Sequence, residues 1–255
     1  MTSRTPLDWD YGDVARAYLK RPGYAPAAID EIVATAGLAP GACVADIGAG
    51  TGNLTVPLLE RGLRVTAIEP NDAMRALGRE RTRSFPALAW RSSVAEHTGL
   101  ADASHDAVGF GSSFNVVDAA AAVAESARIV RPDGWLFCLW NHRELDDALQ
   151  AAIEAAIRHH VPKFEPGTRR ADPSARLRGG GWFGDVRAIE ATVRHRIAAV
   201  DFVEAWQAHL TLRRAAGTAF PAVLDAIAAL VAGRGASTIE VPYVTRAWLA
   251  RKRGR

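Results

Sequence analysis

Residues 43–53 read C-V-A-D-I-G-A-G-T-G-N, and this stretch gathers the groups best suited to hold a small charged ligand. One carboxylate, Asp46, stands just before three glycines at alternate positions, Gly48, Gly50 and Gly52, with Ala49 and Thr51 between them. Glycine leaves the main chain open to close approach because no Cβ blocks it. A second carboxylate, Glu69, ends the next apolar run, Val65–Ile68, 17 positions after Gly52. An apolar strand, a glycine turn, a helix and a later acid are the parts of a cofactor site.

Those residues need a frame. Cys43–Ala45 is short and apolar, the pattern of a buried strand, and Leu54–Arg61 reads as a helix stopped by Gly62. Before it, Ile29, Ile32, Val33 and Ala36 give residues 27–36 one apolar helical face. After it come strands expected at 64–68, 87–91, 106–110 and 135–140. Helices are expected from the Asn71 cap through Leu77 and over 118–130, with R-P-D-G (131–134) as a stop. Strand and helix thus alternate five times between residues 25 and 141, which predicts a doubly wound, mostly parallel α/β sheet. In such a sheet ligands lie beyond the carboxyl ends of the strands, where Asp46–Gly52, Glu69, Ala95–His97, Ser112–Asn115 and Asn141–Arg143 all fall.

The flanks read differently. Residues 1–26 carry Trp9, Tyr11, Tyr18 and Tyr24 and are expected to form a lid. Residues 27–141 are the expected cofactor-binding core. Residues 142–255 are expected to supply a helical insertion walling the pocket (145–161, 201–214, 220–231) and terminal strands near 186–200 and 238–249. The three make one structural domain, and Pro242 predicts an edge for the last strand.

Composition excludes several classes. Of 255 residues, 31 are basic and 28 acidic, but four of the basic ones crowd into residues 251–255. Without that tail, read as a frayed end, the basic count drops to 27 and the body is nearly neutral, which disfavours nucleic acid as a partner. No segment approaches the roughly 18 uninterrupted apolar residues of a membrane span, and Met1–Asp10 has no signal-peptide core. A cytoplasmic location without membrane association, as a monomer or homodimer, is expected. Cys43 and Cys138 read as small buried hydrophobes, and no Cys/His spacing predicts a metal.

The turn is G-x-G-x-G, with Asn53 where a dinucleotide fingerprint has its third glycine, and Asp46 would oppose a pyrophosphate. A cationic or zwitterionic ligand suits it better. Residues 42–141 resemble the class I S-adenosylmethionine-dependent methyltransferases, in particular the type 11, ubiquinone-biosynthesis-like group. The matching pieces are V-A-D-I-G-A-G-T-G-N (44–53), V-T-A-I-E-P-N-D-A-M (65–74), A-E-H-T-G-L (95–100), D-A-V-G-F-G-S-S-F-N-V-V-D (106–118) and A-R-I-V-R-P-D-G (127–134). R-P-G-Y-A-P (21–26) and E-V-P-Y-V-T-R (240–246) extend the resemblance over most of the chain.

The resemblance implies a seven-stranded Rossmann-like methyltransferase fold with an N-terminal helical lid and a helical insertion. It implies S-adenosylmethionine as cofactor and S-adenosylhomocysteine as product. Gly48, Ala49, Gly50, Thr51 and Gly52 would approach the methionine and ribose, Asp46 the methionyl ammonium, and Glu69 the ribose hydroxyls. Pro70, Asn71 and Met74 would border the adenine, with Ala95 and Glu96 opposite, and Ser112 would complete the site. Where relatives carry an A-F-H-W-F-D type sequence, this chain has Ser113–Asp118 with Asn115 in place of histidine, which leaves the acceptor open. Candidates for orienting an acceptor or taking its proton are Tyr18, Tyr24, Asn115 and His142, and after them His97 and His209.

The function expected is methyl transfer to a small molecule, a natural product, at carbon or nitrogen of an indole-like aromatic or an amine. A non-catalytic cofactor-binding accessory protein and an NAD-dependent oxidoreductase stay open as alternatives.

Overall fold

The computed structural model describes residues 14–165 and 167–254. Its strands are β1 (Cys43–Ile47), β2 (Arg64–Ile68), β3 (Leu88–Arg91), β4 (His105–Gly111), β5 (Val130–Arg143), β6 (Phe183–Ala198) and β7 (Thr238–Lys252). They form one sheet in the order β3-β2-β1-β4-β5-β7-β6. Adjacent strands are parallel through β5, and β7 runs antiparallel to both neighbours. The winding reverses between β1 and β4, so the expected crevice opens where Asp46 pairs with Gly109.

The helices are α1 (Ala15–Tyr18), α2 (Pro26–Thr35), α3 (Thr55–Leu59), α4 (Asp72–Arg81), α5 (Ala119–Ile129), α6 (Ala148–His160), α7 (Ser174–Leu177), α8 (Ala199–Gln207), α9 (Leu210–Ala216) and α10 (Phe220–Ala232). One face of the sheet packs Val44, Val65 and Leu139 under α2 and α3, and the other packs Ile47, Phe110 and Trp140 against α5 and α7. A separate apolar cluster joins α6, α8 and α10 through Ile153, Phe202, Val223 and Ile227 to the far ends of β6 and β7. Side-chain caps fix four of these starts: Asn71 on α4, Asp118 on α5, Asp147 on α6 and His209 on α9.

Several expectations change. The last strand is not an edge, because β7 lies between β5 and β6. Pro242 is tolerated because β5 pairs only with Tyr243–Arg251, leaving proline beyond that ladder. The carbonyl of Pro242 instead accepts from Gln150 Nε2 at 3.2 Å. R-P-D-G (131–134) does not separate helix from strand. It is a register shift inside β5, with Asp133 at φ 65°.

The basic tail is held in the sheet through Arg253, whose N donates to the Trp182 carbonyl at 2.9 Å. Arg251 pairs with Trp135, and Lys252 Nζ donates to the Val130 carbonyl at 2.7 Å. The expected helix over 201–214 breaks at Ala208–His209 into α8 and α9. Residues Leu210–Ala232 together are long and apolar enough to cross a membrane by length and composition. In this fold Gly217 (φ 52°, ψ −122°) interrupts them, and Phe220, Val223, Ile227 and Val231 face the protein interior. Trp9 and Tyr11 of the expected lid lie outside the described residues.

Candidate active site

Asp46 sits at the carboxyl end of β1, fully buried. Its Oδ2 accepts from Thr55 Oγ1 at 2.5 Å, whereas Oδ1 has no partner among the described residues. Burial pushes its carboxyl up to about 7, against the pull of the Thr55 hydrogen bond and with a further push from Glu69. A buried carboxylate oxygen left without a donor is costly, and an ammonium is the group that would satisfy it. Thr51 Oγ1, also buried, is a second unpartnered oxygen in the same turn.

The turn itself is built for close approach. Gly48 (φ 68°) and Gly50 (φ 58°) occupy left-handed backbone. A Cβ on Gly48 would lie 2.6 Å from Ser113 Cβ, and one on Gly50 would lie 3.2 Å from the Met74 methyl. Glu69 closes the turn from β2: its Oε2 accepts from Gly50 N and its Oε1 from Asn71 N, each at 2.8 Å. Each oxygen keeps a second lone pair for a ligand hydroxyl. Asn71 Oδ1 caps α4 by accepting from Met74 N at 3.0 Å, which directs the Met74 side chain at Gly50. Pro70 is exposed between these two, and its carbonyl accepts from Arg75 at 3.2 Å.

The N-terminal segment covers this turn. The Tyr18 ring approaches the Cβ direction of Gly50 to 3.9 Å. Tyr24 Oη lies 2.9 Å from Ser112 Oγ, and burial raises its phenol well above the usual value. Ser112 holds φ 60°, a conformation rare outside glycine, at the exit of β4. The segment is tied down from far away. Ala25 N donates to Thr245 Oγ1 at 2.8 Å, and that hydroxyl donates to Asn141 Oδ1 at 2.5 Å. Asn141 Nδ2 then donates to the carbonyls of Gly23 at 2.5 Å and Pro22 at 3.2 Å. The two outlying motifs, R-P-G-Y-A-P and E-V-P-Y-V-T-R, are therefore joined through the end of β5.

Beyond the turn lie two cavities. The smaller, about 300 Å³ with its mouth, is lined by Tyr18, Ser112 and Asn115 among others. The larger, about 840 Å³ with its mouth, is lined by His142, Trp206, His209 and Tyr243 together with four arginines. Arg21 and Arg169 line both.

The structure sorts the proton-handling candidates. Asn115 Oδ1 is taken by the Trp140 indole N–H at 2.9 Å, leaving its amide N–H groups for the small cavity. His142 Nε2 is buried with no partner among the described residues. Burial, then Arg246, Arg169 and Arg170, hold this imidazole down to about 4, so it is neutral at pH 7. His209 accepts from Leu212 N through Nδ1 at 3.2 Å and stacks on Trp206, and burial keeps the ring neutral, so its other nitrogen carries the proton. His97 is exposed and lines neither cavity.

Glu96 Oε1 accepts from Asp118 N at 2.8 Å at the start of α5, while its Oε2 is buried with no partner among the described residues. Ala95 is buried in the core cluster of that face. The expected boundary at 141/142 falls within β5. Missed by the sequence reading were Arg169 and Arg170 of the larger cavity; Ser113, whose Oγ donates to the Ile47 carbonyl at 2.5 Å under Gly48, and Arg143 lay within stretches already singled out. Arg21, Tyr243 and Thr245 did lie inside motifs already singled out.

Residues 45–138 match the family model described as Methyltransferase domain. An uncharacterized methyltransferase of Mycobacterium tuberculosis is 39% identical over 143 residues, 56% of this chain and 56% of the relative. The chain thus spans little more than half the length of the curated relatives it matches. Among solved structures, a candidate type II methyltransferase of Anaeromyxobacter dehalogenans superposes with a TM-score of 0.63 at 20% identity, covering 91% of this chain and 97% of that one. A phosphoethanolamine N-methyltransferase of Haemonchus contortus, solved with S-adenosyl-L-methionine, gives 0.56 at 14% identity over 94% and 57%. Residues 45–138, which hold Asp46, the glycine turn and Glu69, are thus similar to a methyltransferase domain, and the fold is that of the solved methyltransferases.

Proposed function

We propose that this protein transfers the methyl group of S-adenosylmethionine to a small molecule, at carbon or nitrogen. The observation that carries the reading is the Asp46 Oδ1 without a partner among the described residues, buried beside a turn whose Gly48 and Gly50 hold left-handed backbone. Asp46 would hold the methionyl ammonium, Glu69 the ribose hydroxyls through its free lone pairs, and Met74 and Asn71 the adenine edge. A sulfonium supplies an electrophilic methyl and a neutral thioether leaving group. The acceptor's electron pair forms the new bond to the methyl carbon as the carbon–sulfur pair returns to sulfur. A proton leaves the acceptor if its nitrogen or carbon carried one.

What this chain contributes is alignment, which holds reacting atoms about 3–3.5 Å apart and in line. Tyr18, Ser112 and the Asn115 amide border the small cavity beside the turn and are placed to orient the acceptor. Neutral His142 is a weak base at the larger cavity, and no tyrosine phenolate is available there at pH 7. An acceptor of low basicity demand, such as an indole-like ring, fits that provision. Two recessed cavities beside the turn favour a small molecule.

Calorimetry with S-adenosylmethionine, S-adenosylhomocysteine and NAD tests the cofactor assignment. Glu69→Gln is the informative variant because glutamine retains one acceptor oxygen for the turn. Micromolar binding of both adenosyl ligands, weakened about tenfold in the variant for the loss of roughly one charged hydrogen bond, is the expected result. Preference for NAD would sink the proposal.

A further inference from the structure

Two histidines at the larger cavity hold hydrogen-bonding capacity that the fold does not use. His209 caps α9: its Nδ1 accepts from Leu212 N at 3.2 Å, so the proton of the neutral ring sits on Nε2. The ring is fixed in place, stacked on Trp206 at 5.5 Å with the planes 8° apart and edge-on to Phe164 at 6.4 Å. Its Nε2–H makes no hydrogen bond among the described residues. His142, near the end of β5, is only 9% exposed, and its Nε2 also has no partner among the described residues. Both side chains line the same cavity, next to Asn141 and Arg143. Those two neighbours are already engaged. Asn141 Oδ1 accepts from the Thr245 hydroxyl, and its amide donates to the Gly23 and Pro22 carbonyls. Arg143 pairs with Glu154, and its guanidinium lies 5.1 Å over the Trp206 ring. A buried ring nitrogen with nothing to bond is costly, and a ligand in the cavity is what would satisfy it.

We propose that His142 and His209 select the methyl acceptor by binding oxygen on a flat ring, a carbonyl or a hydroxyl. His209 Nε2–H donates to the oxygen lone pair, and His142 Nε2 accepts from a hydroxyl proton. The ring itself lies against Phe202, Trp206 and Tyr243, whose buried carbon keeps water from the contact. This deepens the transferase reading and rests on it. The oxygen held here is not the atom methylated, because the small cavity, with Tyr18 and Ser112, is the one beside the glycine turn. Neutral rings suit a neutral oxygen. Burial lowers His142, helped by Arg246, Arg169 and Arg170 against Glu190, and burial lowers His209, helped by Arg169, Arg21 and Arg143. Among the acceptors considered from sequence, an indole-like ring without oxygen would engage His142 alone. A protonated amine could accept nothing from His209.

The test uses the full chain saturated with S-adenosylhomocysteine and three flat probes of similar bulk in equilibrium dialysis. These are 1-indanone, with a carbonyl; 4-indanol, with a hydroxyl; and indane, with neither. The expected result is that both oxygen probes bind more tightly than indane by about three- to tenfold, as a neutral hydrogen bond predicts. His209→Asn keeps an oxygen to cap α9 and removes the Nε2–H, so the 1-indanone margin should vanish while the melting curve reports an intact fold. His142→Phe should shrink the margin of 4-indanol and spare that of 1-indanone, and His142→Gln, which retains an acceptor, should restore it. In the wild type both margins should hold from pH 6 to pH 8, which is read without any variant. Equal binding of all three probes, no binding of any, margins that persist in either His209→Asn or His142→Phe, or margins that fade above pH 7 as a protonated histidine would give, overturn the proposal. If S-adenosylhomocysteine fails to bind the wild type while the oxygen margins persist, the histidine pair stands and the transferase reading falls.

Discussion

Asp46 shows how a residue can be costly for the fold and yet be the one proposed to hold the ligand. Its carboxyl ordinarily titrates near 3.8 and is pushed up to about 7 here. Between those values the folded carboxyl keeps a proton that the unfolded one releases. Its contribution to stability therefore falls as pH rises through that window and is lowest above about pH 7. Asp46→Asn removes this term, so the ligand-free variant should melt no lower than wild type at pH 8. Its affinity for S-adenosylhomocysteine should fall about tenfold or more at that pH, since a charged hydrogen bond is lost. Wild-type affinity should rise from pH 6 to pH 8 and the variant's should not. Calorimetry at both pH values, beside thermal melts, checks all of this. Asp46 and Glu69 were legible in the sequence because acids after apolar strands are few. Arg169 and Arg170 were not, since a polar, glycine-rich stretch discloses nothing about the cavity it borders.

At the scale of elements, the glycine turn and the lid fastening make separable predictions. Gly48 combines a left-handed φ with a Cβ direction closed by Ser113, whereas Gly37 at the end of α2 has φ 63° and open space. Gly37→Ala should cost only the conformational term, roughly 1–2 kcal/mol. Gly48→Ala should add an overpacking term of about 1–3 kcal/mol, and urea unfolding of the two variants separates them. Thr245→Val removes an acceptor for Ala25 N and a donor to Asn141, both buried or nearly so. We expect a loss of about 1–3 kcal/mol, the cost of stranding a buried polar group. Limited proteolysis between α1 and α2 should accelerate in the same variant. Strand and helix existence followed from apolar periodicity, and boundaries moved where tertiary contacts decided them. Pro242 is the instructive failure: its missing N–H speaks only of its own position, and β5 happens to stop one residue short of it.

For the whole molecule, the winding order through β5 was readable from alternation, while the placement of β7 between β5 and β6 was not. A reversed strand inserted beside a parallel one depends on pairings more than 100 residues apart, of which local sequence carries no trace. That insertion has a consequence in time. A chain leaving the ribosome presents Ala25 some 220 residues before the hydroxyl that fastens it. At about 5–20 residues per second the interval is on the order of tens of seconds. The strands bearing Asp46 and Glu69 are all out of the exit tunnel well before that, so the proposed cofactor cleft exists first as an open trough. The N-terminal segment can be fastened over it only when β7 brings Thr245 alongside, so the placing of β7 is the event that turns an open trough into a covered cleft.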